Sequence, residues 1–175
     1  MRSLILGAAL LSVGVIVAAD AAPKGAASPP TASTEGQVDF AGFRSLAGEV
    51  QAYRANRLVS LKQFQEMASE AKTIILDARS AAAYKQGHIE GAINLPLPDF
   101  TAEALKRTIA DPSVRVLIYC NNNFENNAAP VVLKRVELAL NIQTFINLYG
   151  YGYKNVYELG DVVNFDDPKV RWVRG

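Results

Sequence analysis

Of the 175 residues, one is cysteine and one is histidine. A lone thiol, Cys120, cannot close an internal disulfide. Cys120 and His88 together are too small an inventory for a Cys/His structural metal site. The fold must hold by its core, and nothing calls for a metal or another cofactor. Charge of one sign is lacking too: 18 Lys and Arg stand against 17 Asp and Glu, a net +1 with no block of either kind. That excludes a nucleic-acid footprint and a charged tail. Half the residues are apolar, and at this length that supports one domain with a proper core.

A hydrophobic run long enough to span a bilayer is also missing. In "MRSLILGAALLSVGVIVAADAAPKG" the uncharged stretch Leu4–Ala19 is about 16 residues, short of the roughly 20 a membrane helix needs. Arg2 precedes it and the small-x-small Ala19-Asp20-Ala21 follows, so residues 1–21 read as a cleaved signal peptide. The expectation is an exported protein, periplasmic or secreted, with no stable membrane anchor after cleavage. Residues 22–37, rich in Ala, Pro, Ser, Thr and Gly, read as a flexible linker. Residues 38–175 read as the folded domain.

Phe40, Phe43, Leu46, Val50 and Tyr53 recur at helical spacing, with Arg44, Glu49 and Arg54 between them and Asp39 as N-cap. Ser60 and Gln63 have capping-box spacing ahead of a second helix with Leu61, Phe64 and Met67 on its apolar stripe. Three short runs read as strands: "TIILD" (73–77), "VRVLIY" (114–119) and "NVYEL" (155–159). A fourth, 92–95, lies in "GAINLP". Helices are expected between them, including "AAPVVLKRVELAL" (128–140) with Pro130 in its first turn. Alternating strands and helices argue for an α/β fold, a parallel sheet covered on both faces.

Cys120 ends the apolar strand and is followed by Asn121, Asn122, Asn123, Phe124, Glu125, Asn126 and Asn127. In an open α/β sheet ligands bind beyond the carboxyl ends of the strands. A strand-to-helix turn there directs backbone N–H groups inward and favours an anion, so the thiol is expected to ionise more readily than a free one. Asparagine tolerates left-handed backbone angles and adds side-chain donors. Asn121 to Asn126 thus form a candidate anion cradle, with Asn126 or Asn127 capping the next helix. The plainer alternatives are a small buried thiol and a polar surface loop. A carboxylate at Glu125 would disfavour the thiolate unless it points to solvent.

The segment from Leu58 to Leu159 resembles the rhodanese-like domain family. The family pattern D-x-R-x4-[YF]-x2-G-H-I-x-G-A-x-N-[IL]-P is met by Asp77, Arg79, Tyr84, Gly87, His88, Ile89, Gly91, Ala92, Asn94, Leu95 and Pro96. "VLIYC" resembles the family's active-site strand and nucleophile. The resemblance implies a five-stranded parallel sheet flanked by helices on both faces, here with an extra N-terminal helix. It implies a sulfurtransferase in which Cys120 carries sulfane sulfur as a persulfide. The partners would be a small sulfur-containing anion as donor, thiosulfate-like, and an external acceptor of thiol or cyanide type, a protein thiol included. Asp77, Arg79 and His88 would be scaffold. Three departures stand out: the loop has no cation, residues 141–153 read as an insert, and "GDVVNFDDPKVRWV" stands in place of the family's usual Gly-Gly and aromatic tail. A non-catalytic binding module on the same fold is the alternative. A Cys-x5-Arg phosphatase is disfavoured, because Asn126 stands where the arginine would be.

Overall fold

A computed structural model describes residues 37–175 of the chain. The expected signal peptide and all but the last residue of the expected linker lie outside the described residues. Among the described residues no helix is long and apolar enough to cross a membrane.

Helix α1 (Phe40–Arg54) starts at Asp39, whose carboxylate accepts from the Gly42 N–H. Strand β1 (Leu58–Val59) follows, then α2 (Leu61–Ala68), which opens with the Ser60–Gln63 capping box. Next come β2 (Thr73–Asp77), α3 (Ala81–Gln86), β3 (His88–Ile89), β4 (Ala92–Asn94), α4 (Ala102–Ile109) and β5 (Arg115–Tyr119). Helix α5 (Leu140–Gly150), β6 (Val156–Leu159) and β7 (Trp172–Val173) complete the order. The main sheet has five strands in the order β1-β6-β5-β2-β4, all parallel.

Side chains alternate across each strand, and β5 divides two cores. Val116 and Ile118 face a cluster with Val50 of α1, Leu105 and Ile109 of α4, and Phe145 and Leu148 of α5. Leu117 and Tyr119 face the other cluster, with Phe64 of α2, Phe124, Phe165 and Val170. The sheet is thus covered on both faces, as the β-branched, near-continuous strands imply.

Several expectations need correction. The run 128–139 forms no α-helix, only a 3-10 turn at Val136–Leu138; the α-helix begins at Leu140. The reason lies in the asparagines. Asn121 Nδ2 donates to the Val132 carbonyl at 2.8 Å, Asn122 Nδ2 to the Lys134 carbonyl at 2.8 Å, and Asn127 Oδ1 accepts from the Leu133 N–H at 3.2 Å. Asn122 Oδ1 also accepts from the Lys134 N–H at 3.1 Å. Side chains thereby take backbone groups that a helix would pair internally. The segment read as an insert, 141–153, is mostly α5 itself. Neither Asn126 nor Asn127 caps a helix. On α1, Val50 is buried but Phe40 is 77% exposed, so the apolar stripe is covered only toward the helix's carboxyl end. Arg54, expected among solvated residues, is half-buried.

The chain also continues past the strand expected to be last. β7 pairs antiparallel with β3, His88 opposite Val173 and Ile89 opposite Trp172. Gly87 allows this approach: a Cβ there would lie 2.4 Å from Trp172 Nε1. Gly91, at φ +79°, makes the turn from β3 to β4.

Candidate functional site

The carboxyl end of β5, the central strand, delivers Cys120. The thiol is 1% exposed, yet it forms part of the wall of an open pocket of about 320 Å³. The backbone N–H groups of Asn141, Asn122 and Leu140 lie near its sulfur and favour the thiolate. Two of these open α5, so the amino end of an 11-residue helix faces the sulfur.

The balance of forces on the thiol differs from the expectation. Burial pushes the Cys120 thiol up, the three N–H groups pull it down, and the Glu158 carboxylate adds an upward push. The result is a raised value, because desolvating a thiolate here outweighs three donors. Below its pKa the thiolate fraction changes tenfold per pH unit. The rate of Cys120 alkylation by neutral iodoacetamide is therefore expected to keep rising past the ordinary thiol range, about pH 8.5. A plateau reached by pH 7.5 would contradict this balance.

The loop residues are placed as follows. Asn122 and Asn123 line the pocket beside Cys120. Asn123 is buried: its Oδ1 accepts from the Cys120 N–H at 2.9 Å and from Asn141 Nδ2 at 3.0 Å. Its Nδ2 donates to the Leu159 and Asp161 carbonyls at 2.7 and 3.2 Å. Asn121 is tied to Val132, as above, and lies outside this pocket's wall. Phe124 is fully buried, edge-on to Tyr119 and Trp172. Glu125 is exposed and accepts from Asn164 Nδ2 at 3.1 Å. Asn126 bridges to the tail, donating to Asn164 Oδ1 and accepting from the Phe165 N–H, both at 3.0 Å. The side-chain donors of Asn121, Asn122, Asn123 and Asn126 therefore bind the protein itself. The donors near the sulfur are backbone N–H groups, two of them from α5. Of the loop's asparagines, only Asn127, at φ 40°, adopts the left-handed backbone.

Asp77, Arg79 and His88 are not part of the wall of the Cys120 pocket. Asp77 and Arg79 form a buried ion pair, with Nη2 to Oδ2 at 2.5 Å. The Tyr119 hydroxyl donates to the same Oδ2 at 2.5 Å and accepts from the Ile89 N–H at 3.1 Å. Burial and the Asp77 carboxylate push that phenol well above its ordinary range, which keeps it a donor. His88 stacks on Tyr84 at 3.8 Å between ring centroids, and its Nδ1 lies 2.9 Å from the Tyr84 carbonyl.

Three pocket residues carry no local sequence signal: Arg54, Asn141 and Glu158. Glu158 is 5% exposed. It points to the same sheet face as Val156, where alternation implies an apolar residue. Arg54 answers it from α1, and Asn141 Nδ2 donates to its Oε1 at 3.1 Å. Among the described residues no cluster of three or more His, Cys, Asp or Glu could hold a metal ion.

Residues 60–163 match the model of the family described as Rhodanese-like domain. Thiosulfate sulfurtransferase PspE of Escherichia coli (strain K12) is 27% identical over 96 residues, 55% of this chain and 77% of that protein. A solved rhodanese with anions from E. coli aligns at a TM-score of 0.40 and 24% identity, over 59% of this chain and 99% of that one. The thiosulfate sulfurtransferase from Pseudomonas aeruginosa aligns at 0.44 and 21% identity over 68% of this chain, which spans only 20% of that protein.

Proposed function

The chain belongs to the rhodanese-like domain family, and on that premise we propose that it is an exported sulfurtransferase whose nucleophile is Cys120. The Cys120 thiolate attacks the outer sulfur of a thiosulfate-like donor. The donor's S–S bond breaks, sulfite leaves with the electron pair, and Cys120 becomes a persulfide. A thiolate of an external acceptor then attacks the outer sulfur and takes it, restoring the Cys120 thiolate. With no second cysteine in the chain, the sulfur has to leave to another molecule. Asn122, Leu140 and Asn141 act through their backbone N–H groups, which steady negative charge on the thiolate and then on the persulfide.

One observation carries this reading: a thiol at the end of the central strand, beside the amino end of α5, lines an open pocket. Export rests on the apolar run Leu4–Ala19 with its small-residue boundary. The test is intact-protein mass after incubation with thiosulfate, beside Cys120→Ser. A gain of one sulfur atom on the wild type alone is expected, followed by its loss to an added thiol. The second reading, a binding module without turnover, is favoured by the upward shift of the Cys120 thiol. It gains if the wild type takes up no sulfur even at alkaline pH.

A further inference from the structure

One wall of the Cys120 pocket comes from outside the family domain. Arg54 is the last residue of α1 and precedes the matched residues 60–163. Its guanidinium meets Glu158 in a two-point fork, Nε to Oε2 at 2.5 Å and Nη2 to Oε1 at 2.6 Å. Glu158 is buried and also held by Asn141, so the fork is fixed from below. A guanidinium has five N–H donors in one plane. Glu158 takes two of them, and among the described residues the others have no acceptor. The Arg54 side chain keeps 31% of its exposure. Its remaining donors thus reach solvent from a residue that lines the pocket with Cys120.

Arg54 is also the only cation among the described residues that line this pocket. The loop 121–127 offers none, and its side-chain amides are bonded to the protein. A dianionic donor approaching a thiolate meets like charge with no counter-charge from the loop. Arg54 and Glu158 each couple electrostatically to Cys120. As a pair they are neutral, so a preference for anions has to come from directed N–H donors at short range.

We propose that Arg54 is the anion-docking residue of the Cys120 pocket: its free guanidinium edge receives the oxyanion end of the incoming molecule while Glu158 fixes its orientation. The identity of that anion as a sulfur donor rests on the proposed function. The preference for an anion does not.

The test uses the purified full chain and two alkylating reagents at one pH and low salt, anionic iodoacetate and neutral iodoacetamide. The same thiolate attacks the CH2 carbon of both and expels iodide, so the ratio of their rate constants cancels thiolate fraction. The expected result is a fall of roughly tenfold in the iodoacetate-to-iodoacetamide ratio in Arg54→Gln, the worth of one charge-assisted hydrogen bond. Arg54→Lys should recover part of it. Arg54→Gln alone also leaves Glu158 unpaired beside the thiol. The double variant Arg54→Gln/Glu158→Gln removes that carboxylate and should stay low. A double variant that returns to the wild-type ratio would overturn the proposal and leave the pair a neutral bridge. With thiosulfate, the double variant should raise KM by a larger factor than it changes kcat. If no form of the protein takes up sulfur, the sulfurtransferase reading fails, and the alkylation ratio still decides the role of Arg54.

Discussion

Replacing Arg79 by leucine is expected to cost about 3–5 kcal/mol of folding stability, the range for breaking a buried ion pair from one side. Arg79 is 3% exposed. Its Nε and Nη2 grip Asp77, and Nη2 also donates to the Gly87 carbonyl at 2.8 Å. Its guanidinium lies over Tyr119 and Trp172, 5.4 and 5.3 Å from the ring centroids. One side chain thus joins the end of β2 to β5, to the turn before β3, and to β7. Leucine would leave the Asp77 carboxylate in the interior with only the Tyr119 hydroxyl and the Arg79 backbone N–H on it. Domain stabilities run about 5–15 kcal/mol, so about a fifth or more would go. Denaturant unfolding should show a lowered midpoint at unchanged slope. Arg79→Lys should rescue little, because a point charge cannot bridge Asp77 and Gly87 together. A loss below about 1 kcal/mol would mean that the pair contributes no more than a surface bridge does.

Asn123→Ala should strike stability and reactivity together. All four hydrogen bonds of that amide are made within the protein, to Cys120, Asn141, Leu159 and Asp161. Alanine leaves buried groups unpaired, at about 1–3 kcal/mol each for those that water cannot reach. A loss of about 2–3 kcal/mol is expected by denaturant titration. The same change frees the Cys120 backbone and one of the two partners that hold Asn141 Nδ2. Iodoacetamide alkylation at fixed pH should slow several-fold, because donors that are no longer held in place stabilise a thiolate less well. Asn123→Asp should not restore it: an oxygen would then face the Leu159 and Asp161 carbonyls. Unchanged alkylation in a destabilised Asn123→Ala would confine the residue to scaffolding.

The scaffold was legible because its signals are local. "TIILD" and "VRVLIY" are β-branched runs that form β2 and β5, and the motif from Asp77 to Pro96 is long and closely spaced. Ser60 and Gln63 act across three residues and form the capping box. Cys120 could be placed at a strand end for the same reason. The rest depends on distance along the chain. Nothing near Glu158 announces that a carboxylate faces the core, since its partner Arg54 is 104 residues away. Asn141 reads as one more polar helix residue until Asn123 and Glu158 are brought to it. The segment 128–139 has helical composition, and bonds from Asn121, Asn122 and Asn127 across the turn take backbone groups that an α-helix would pair. In the sequence the asparagines read as donors to an anion; their larger task is holding a neighbouring stretch of backbone open. The thiol's upward shift was hidden for a related reason, because the depth of burial at a strand end is a property of both covering layers.

Arg54, in its fork with Glu158, also bears on where this unit begins and ends. Cutting the chain at the family boundaries, 60 and 163, would remove α1, the edge strand β1, and β7 with Trp172. Glu158 would lose its guanidinium, β6 would become an open edge, and Phe124 would lose two aromatic neighbours. The segment that matches the family is therefore shorter than the segment that builds the Cys120 pocket. Any excised or fused version of this domain inherits its reactivity from flanks that a family alignment does not see.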